Sequence, residues 1–109
     1  MEIHINITSK PGDLVLTKQR IGPFTTTYLN EVLKRLGVDT LVLMGIATFG
    51  CMLTTARWAA DMDYKLVVVS DCCANPPDAE VHRVLMEKVL PIQASVVTCH
   101  QLLEVLGKV

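Results

Sequence analysis

Short apolar runs alternate with amphipathic stretches along this chain. Residues 41–44, Leu-Val-Leu-Met, are wholly apolar, the pattern of a parallel strand buried on both faces. Gly45 and Gly50 bracket a tight turn. From Cys51 onward Ala and Leu dominate, which predicts a helix ending near residues 61–63. The same reading extends in both directions. Lys10, Pro11, Gly12 and Asp13 form a turn signal. Residues 14–17 then predict a short strand with Lys18 at its end. Phe24, Tyr28, Leu29, Val32, Leu33 and Leu36 recur at helical spacing, with Thr25, Thr26 and Thr27 as candidate N-caps and Gly37 as the stop. Residues 65–70 predict a third strand, and residues 71–77 a loop closed by Pro76 and Pro77. Asp78 is placed to cap a helix carrying Val81, Val84, Leu85 and Val89, which Pro91 ends. Residues 94–97 predict a fourth strand. Thr98 and Gln101 have capping-box spacing before Leu102, Val105 and Leu106.

Strand alternates with helix four times. That order predicts an α/β domain: a three-layer α/β/α, Rossmann-like arrangement with a mostly parallel sheet of about four strands. In such sheets ligands bind beyond the C-terminal ends of the strands. Lys18, the turn at residues 45–51 and Asp71 all fall on that rim.

Composition narrows the field. At 109 residues the chain is read as one small domain, residues 1–109. Half its residues are hydrophobic and its net charge is −1, so neither a basic stripe nor an aromatic ladder points to nucleic acid. Residues 40–56 carry no charge and approach the lower length of a membrane span, but two glycines and several threonines interrupt them. They read as strand plus helix. The start lacks the basic and long apolar regions of a signal peptide. Cys51, Cys72, Cys73 and Cys99 form no metal-binding spacing. A reducing cytoplasmic compartment and no metal are the expectation. His4, His82 and His100 are scattered and read as surface or packing residues.

Cys51 carries the candidate chemistry. A thiol on the first turn of a helix meets free backbone N–H groups and a partial positive charge. Both favour the nucleophilic thiolate. The same residue also fits as a small buried hydrophobe. Lys18 offers positive charge or is a solvated surface residue. Asp71 is a candidate base by position, or a brace for its loop.

Four segments carry a resemblance. They are Thr-Lys-Gln-Arg-Ile-Gly-Pro-Phe-Thr-Thr-Thr-Tyr-Leu, Leu-Val-Leu-Met-Gly-Ile-Ala-Thr-Phe-Gly-Cys, Thr-Ala-Arg-Trp-Ala-Ala-Asp-Met-Asp-Tyr and Val-Val-Ser-Asp. In this order, over residues 11–98, the chain resembles the isochorismatase-like cysteine hydrolases, which include nicotinamidases and N-carbamoylsarcosine amidohydrolase. The resemblance implies an Asp-Lys-Cys triad with Cys51 as nucleophile and Lys18 as the triad lysine. It implies a cis Ile46–Ala47 bond, and the backbone N–H groups of Ala47 and Cys51 as oxyanion donors. It implies no cofactor. Phe24 and Phe49 are the aromatics expected to line a substrate pocket, and each fits equally as core.

The departures matter as well. The family's catalytic Asp lies on an N-terminal strand that has no counterpart here, and Asp13 is not that residue. The His and Asp residues by which nicotinamidases hold zinc belong to the same absent half. The tripeptide Phe49-Gly50-Cys51 also differs from the family pattern. The chain therefore reads as a domain truncated on its N-terminal side. Two functions fit: a hydrolase of a small amide, carbamoyl or related substrate, or a non-catalytic α/β module that acts through assembly. Nucleotide binding is disfavoured, because residues 45–50 lack both the P-loop lysine and the Gly-x-Gly-x-x-Gly pattern. A missing strand would leave an unpaired edge and apolar surface, so a homo-oligomer is expected.

Overall fold

The structure is a computed structural model that describes residues 10–75 and 78–107. His4, Pro76 and Pro77 lie outside the described residues. Among the described residues three strands form one sheet: β1 (Thr40–Ile46), β2 (Lys65–Ala74) and β3 (Ser95–Val97), in the order β1-β2-β3 and all parallel. Four α-helices accompany them: α1 (Leu29–Arg35), α2 (Leu53–Asp61), α3 (Ala79–Val84) and α4 (Cys99–Leu106). The α/β class and the parallel sheet match the sequence reading.

The local signals act as their chemistry requires. Gly37 leaves α1 with φ +71°, but no threonine caps its start: Thr27 accepts from the Leu29 amide at 3.2 Å, while the capping position is Tyr28, which makes no side-chain bond. Asp78 caps α3 by accepting from the amides of Glu80 and Val81. Thr98 and Gln101 form the reciprocal capping box of α4. After α3 the chain loosens into a π-helical turn, Leu85–Val89, and a 3-10 turn, Leu90–Ile92, that contains Pro91. Proline has no N–H for an α-helical bond, so the helix cannot run on.

The core lies on one face of the sheet. Met52, Ala56 and Ala59 meet Leu66 and Val68 of β2 together with Leu85, Met86 and Leu90. Leu33 of α1 and Leu41 and Leu43 of β1 pack against the same cluster. No residue of α4 belongs to it; α4 packs on β2 instead. Val69, fully buried yet outside the cluster, marks the opposite face that α4 serves.

Three expectations are corrected. Residues 14–17 do not form a strand; Leu14 and Val15 are exposed. An apolar run becomes a strand only where a neighbour offers a ladder, and none of the described residues does so here. The run at residues 41–44 is covered on one face only. Leu41 and Leu43 face the core, but Val42, Met44 and Ile46 are 44%, 51% and 49% exposed. Among the described residues β1 is the edge of the sheet, and α1, α2 and α3 all contribute to the other face. Finally, residues 71–74 are not loop. β2 runs on to Ala74 because its ladder with β1 slips: Leu43 pairs with Val68, but Gly45 pairs with Cys73.

Gly45 makes that slip possible. Its φ of +137° lies where a side chain is strained. Gly45→Ala should therefore cost on the order of 1–3 kcal/mol. The urea midpoint is expected to fall while the slope stays unchanged. An unchanged midpoint would mean that the slip tolerates a Cβ.

Candidate active site

β1 ends at Ile46, and the Ile46–Ala47 peptide bond that follows is cis. Ala47 is extended, and the chain then winds into a wide π-helical turn, Thr48–Met52, that leads into α2. The Met52 amide donates to the Ala47 carbonyl at 3.1 Å. Cys51 lies within this turn, at the C-terminal end of the sheet, with a free and half-buried thiol. One turn further on, the buried Thr55 hydroxyl donates to the Cys51 carbonyl at 2.6 Å and lies 4.0 Å from Sγ. Because that hydroxyl gives its proton to the carbonyl, its oxygen faces the thiol as an acceptor.

Two side chains from beyond β2 hold the turn in place. Thr48 is fully buried, and its hydroxyl shares a 2.8 Å hydrogen bond with His82 Nδ1 on α3. The Phe49 amide donates to Asn75 Oδ1 at 3.2 Å. Asn75, itself buried, sits just past β2; its Nδ2 donates to the Asp78 carbonyl at 3.3 Å, and its own carbonyl accepts from the Asp78 amide at 2.9 Å. Asn75 therefore links the Cys51 turn to the N-cap of α3, and His82 links it to that helix's last turn. A cleft of about 260 Å³ beside this link is lined by Cys73, Ala74, Asn75, Ala79 and His82. Burial pushes the Cys73 thiol above its ordinary value, so it stays protonated in that wall.

The expected site residues are only partly assembled. Lys18 is exposed, and its ammonium donates to the Arg20 carbonyl at 3.2 Å; it makes no hydrogen bond to Cys51. Its segment nevertheless crosses the turn. A methyl group on Gly50 would lie 3.8 Å from Ile21 Cγ2, and one on the buried Gly22 would lie 2.8 Å from Thr54 Cγ2. Phe24 is half-buried, packs against the core and has its ring 6.3 Å from that of Tyr64. Phe49 is exposed. Asp71 accepts from the Cys99 amide at 2.7 Å, which is the bracing role and not that of a base. Asp13 closes a turn by accepting from the Lys10 amide. Among the described residues no three His, Cys, Asp or Glu side chains converge as a metal site. Asn75 and the Thr48–His82 pair escaped sequence reading. Their partners are 26 and 34 residues away, and no local spacing signals them.

Residues 1–101 match the Isochorismatase domain model. The chain is 34% identical, over 83 residues, to the ureidoacrylate amidohydrolase RutB of Methylobacterium radiotolerans, covering 76% of this chain and 32% of that protein. It superposes on an isochorismatase family protein from Desulfovibrio vulgaris with TM-score 0.88 and 31% identity, over 97% of this chain and 55% of the other. It is similar to the N-carbamoylsarcosine amidase of Thermoplasma acidophilum at TM-score 0.76 and 31% identity, over 89% of this chain and 54% of that one. The chain thus spans from about a third to just over half of the length of these relatives.

The link through Asn75 is testable by itself. Asn75→Ala removes the acceptor of the Phe49 amide and one bond to Asp78. A loss of about 1–3 kcal/mol is expected, with faster hydrogen exchange at Phe49. Unchanged exchange at that amide would show that the turn holds its shape without Asn75.

Proposed function

We propose, from the premise that this chain belongs to the isochorismatase family, that it is the nucleophile-bearing part of a hydrolase of small amide or carbamoyl compounds. The observation that carries this reading is the position of Cys51: half-buried, at the C-terminal end of a parallel sheet, in a turn linked to two other elements. The Cys51 thiolate attacks the substrate carbonyl carbon, and the N–H groups of Ala47 and Cys51 stabilise the oxyanion. The C–N bond then breaks, the amine leaves with a proton, and water hydrolyses the thioester and restores the thiol. Lys18 supplies positive charge to the thiolate once its ammonium leaves the Arg20 carbonyl. Phe49, exposed beside Cys51, and Phe24 are the aromatic candidates for substrate contact; the packing of Phe24 against Tyr64 favours Phe49.

The proton acceptor is the missing component. Among the described residues no carboxylate is hydrogen-bonded to Cys51 or Lys18. A homo-oligomer built on the edge of β1, unpaired among the described residues, and on the exposed Val42, Met44 and Ile46 would cover that face and bring a second chain toward the turn. No helix of the described residues is long and apolar enough to cross a membrane. Unpaired cysteines fit a reducing, cytoplasmic setting. The Lys18–Arg20 bond favours a second reading, a non-catalytic module that keeps the fold and acts by assembly.

Turnover of ureido acids, N-carbamoyl amino acids and small primary amides separates the two readings. Ammonia release is expected for at least one class, with a loss on the order of 10³-fold or more for Cys51→Ser. Iodoacetamide at neutral pH should alkylate Cys51 faster than the other cysteines, and Lys18→Met should slow that reaction. No turnover, with Cys51 no more reactive than the others, would leave the module reading. Sedimentation at micromolar concentration is expected to give a dimer or larger species that Met44→Lys weakens. A well-behaved monomer would rule out the assembly.

A further inference from the structure

Thr48 lies between the two proposed oxyanion donors, directly after Ala47 and three residues before Cys51. It is fully buried, although it sits in the turn that joins β1 to α2. A hydroxyl cut off from water needs a partner inside the protein. Among the described residues that partner is His82 Nδ1, 2.8 Å away and 34 residues further along the chain. The hydroxyl proton has no second acceptor among them, so it is donated to Nδ1. His82 is then the neutral tautomer with its ring proton on Nε2.

The ring is anchored by a route that does not pass through the turn. The His82 amide donates to the Asp78 carbonyl at 3.4 Å, and the Asp78 amide donates to the Asn75 carbonyl at 2.9 Å, just past β2. His82 thus carries the position of the sheet to the Thr48 side chain. Among the described residues no hydrogen bond joins it to Cys51, so it does not act on the thiol itself.

We propose that His82 is a positioning residue for the reaction: through the Thr48 hydroxyl it fixes the backbone that presents the Ala47 and Cys51 amides to the oxyanion. This role rests on the hydrolase reading above. Donors of that kind work only when held at the place where the charge develops. Asn75 holds the same turn from the Phe49 amide, beyond Thr48. His82 holds it at Thr48, next to the first donor. Loss of the His82 bond therefore loosens the donors and leaves the thiol unaltered.

The test compares the native chain with His82→Leu, His82→Asn, Thr48→Val and Thr48→Ser on whichever ureido acid, N-carbamoyl amino acid or small primary amide the native chain hydrolyses. His82→Leu and Thr48→Val should each lower kcat on the order of 10²-fold with KM nearly unchanged, the mark of an interaction made in the transition state. The double variant should lose little more than either alone, because both remove the same interaction. His82→Asn supplies Oδ1 in place of Nδ1, and Thr48→Ser keeps the hydroxyl, so both should recover most of the rate. Alkylation of Cys51 by iodoacetamide should run at the native rate throughout, because that displacement forms no oxyanion. The buried Cys73 reports folding and should stay unmodified; where His82→Leu exposes it, Thr48→Val against Thr48→Ser decides. The role is overturned if the apolar variants keep the native kcat, if the two losses add, if the conservative variants lose as much, or if Cys51 alkylation falls along with kcat. A native chain that hydrolyses none of these compounds overturns the hydrolase reading and this role with it. An active native chain matched by His82→Leu overturns the role alone.

Discussion

The slipped pairing of β1 with β2 governs the rest of the molecule. Up to Leu43 and Val68 the two strands run in simple parallel register; beyond the slip Gly45 faces Cys73 and Ile46 faces Ala74. β2 needs its added length to keep pace with β1, and only a residue without a Cβ takes the Gly45 backbone angle without strain. Because β2 extends this far, Asn75 emerges level with the turn that follows β1 and reaches the Phe49 amide. On the other side of β2 the ladder with β3 stays regular, and Asp71 accepts from the amide of the first residue of α4. The irregularity with β1 thus sets where Asn75 meets the turn.

The helices are divided unequally between the faces of the sheet. α1, α2 and α3 supply the core on one side, and α4 alone serves the other. Among the described residues nothing pairs with the outer edge of β1, and its outward row of Val42, Met44 and Ile46 is exposed. Unpaired edge groups and contiguous apolar side chains are both costly in water. The relatives that the chain matches are roughly twice as long. Ile46 ends the uncovered row and also precedes the turn bearing Cys51. Any surface that covers β1 therefore borders the candidate nucleophile.

Around Cys51 the polar groups are mostly committed to shape. Thr48, Asn75 and His82 hold backbone and one another, and Thr55 binds the Cys51 carbonyl. Buried hydrogen bonds of this kind are costly to break, because a partner left unpaired keeps its desolvation penalty. They stabilise one turn geometry and leave the Cys51 thiol free and half-buried within it. Asp71 shows the opposite outcome for a rim carboxylate, since its charge is used to brace the Cys99 amide.

Local chemistry was legible in the sequence. The helices at Asp78 and Thr98 were readable because a cap needs only neighbours within one turn. The strand–turn–helix around Cys51 was readable from an apolar run, two glycines and a helix-forming stretch. The cis Ile46–Ala47 bond followed from the motif and not from any local propensity. Tertiary structure alone decided which apolar runs became strands. Residues 14–17 and 41–44 look alike as sequence, yet only the second found a partner strand, and that partner left one of its faces bare. It also decided the slip at Gly45, the long reach of β2 and the approach of Asn75 and His82 to the turn. These depend on groups brought together across tens of residues, and no periodicity within one element records which distant donor will meet which acceptor.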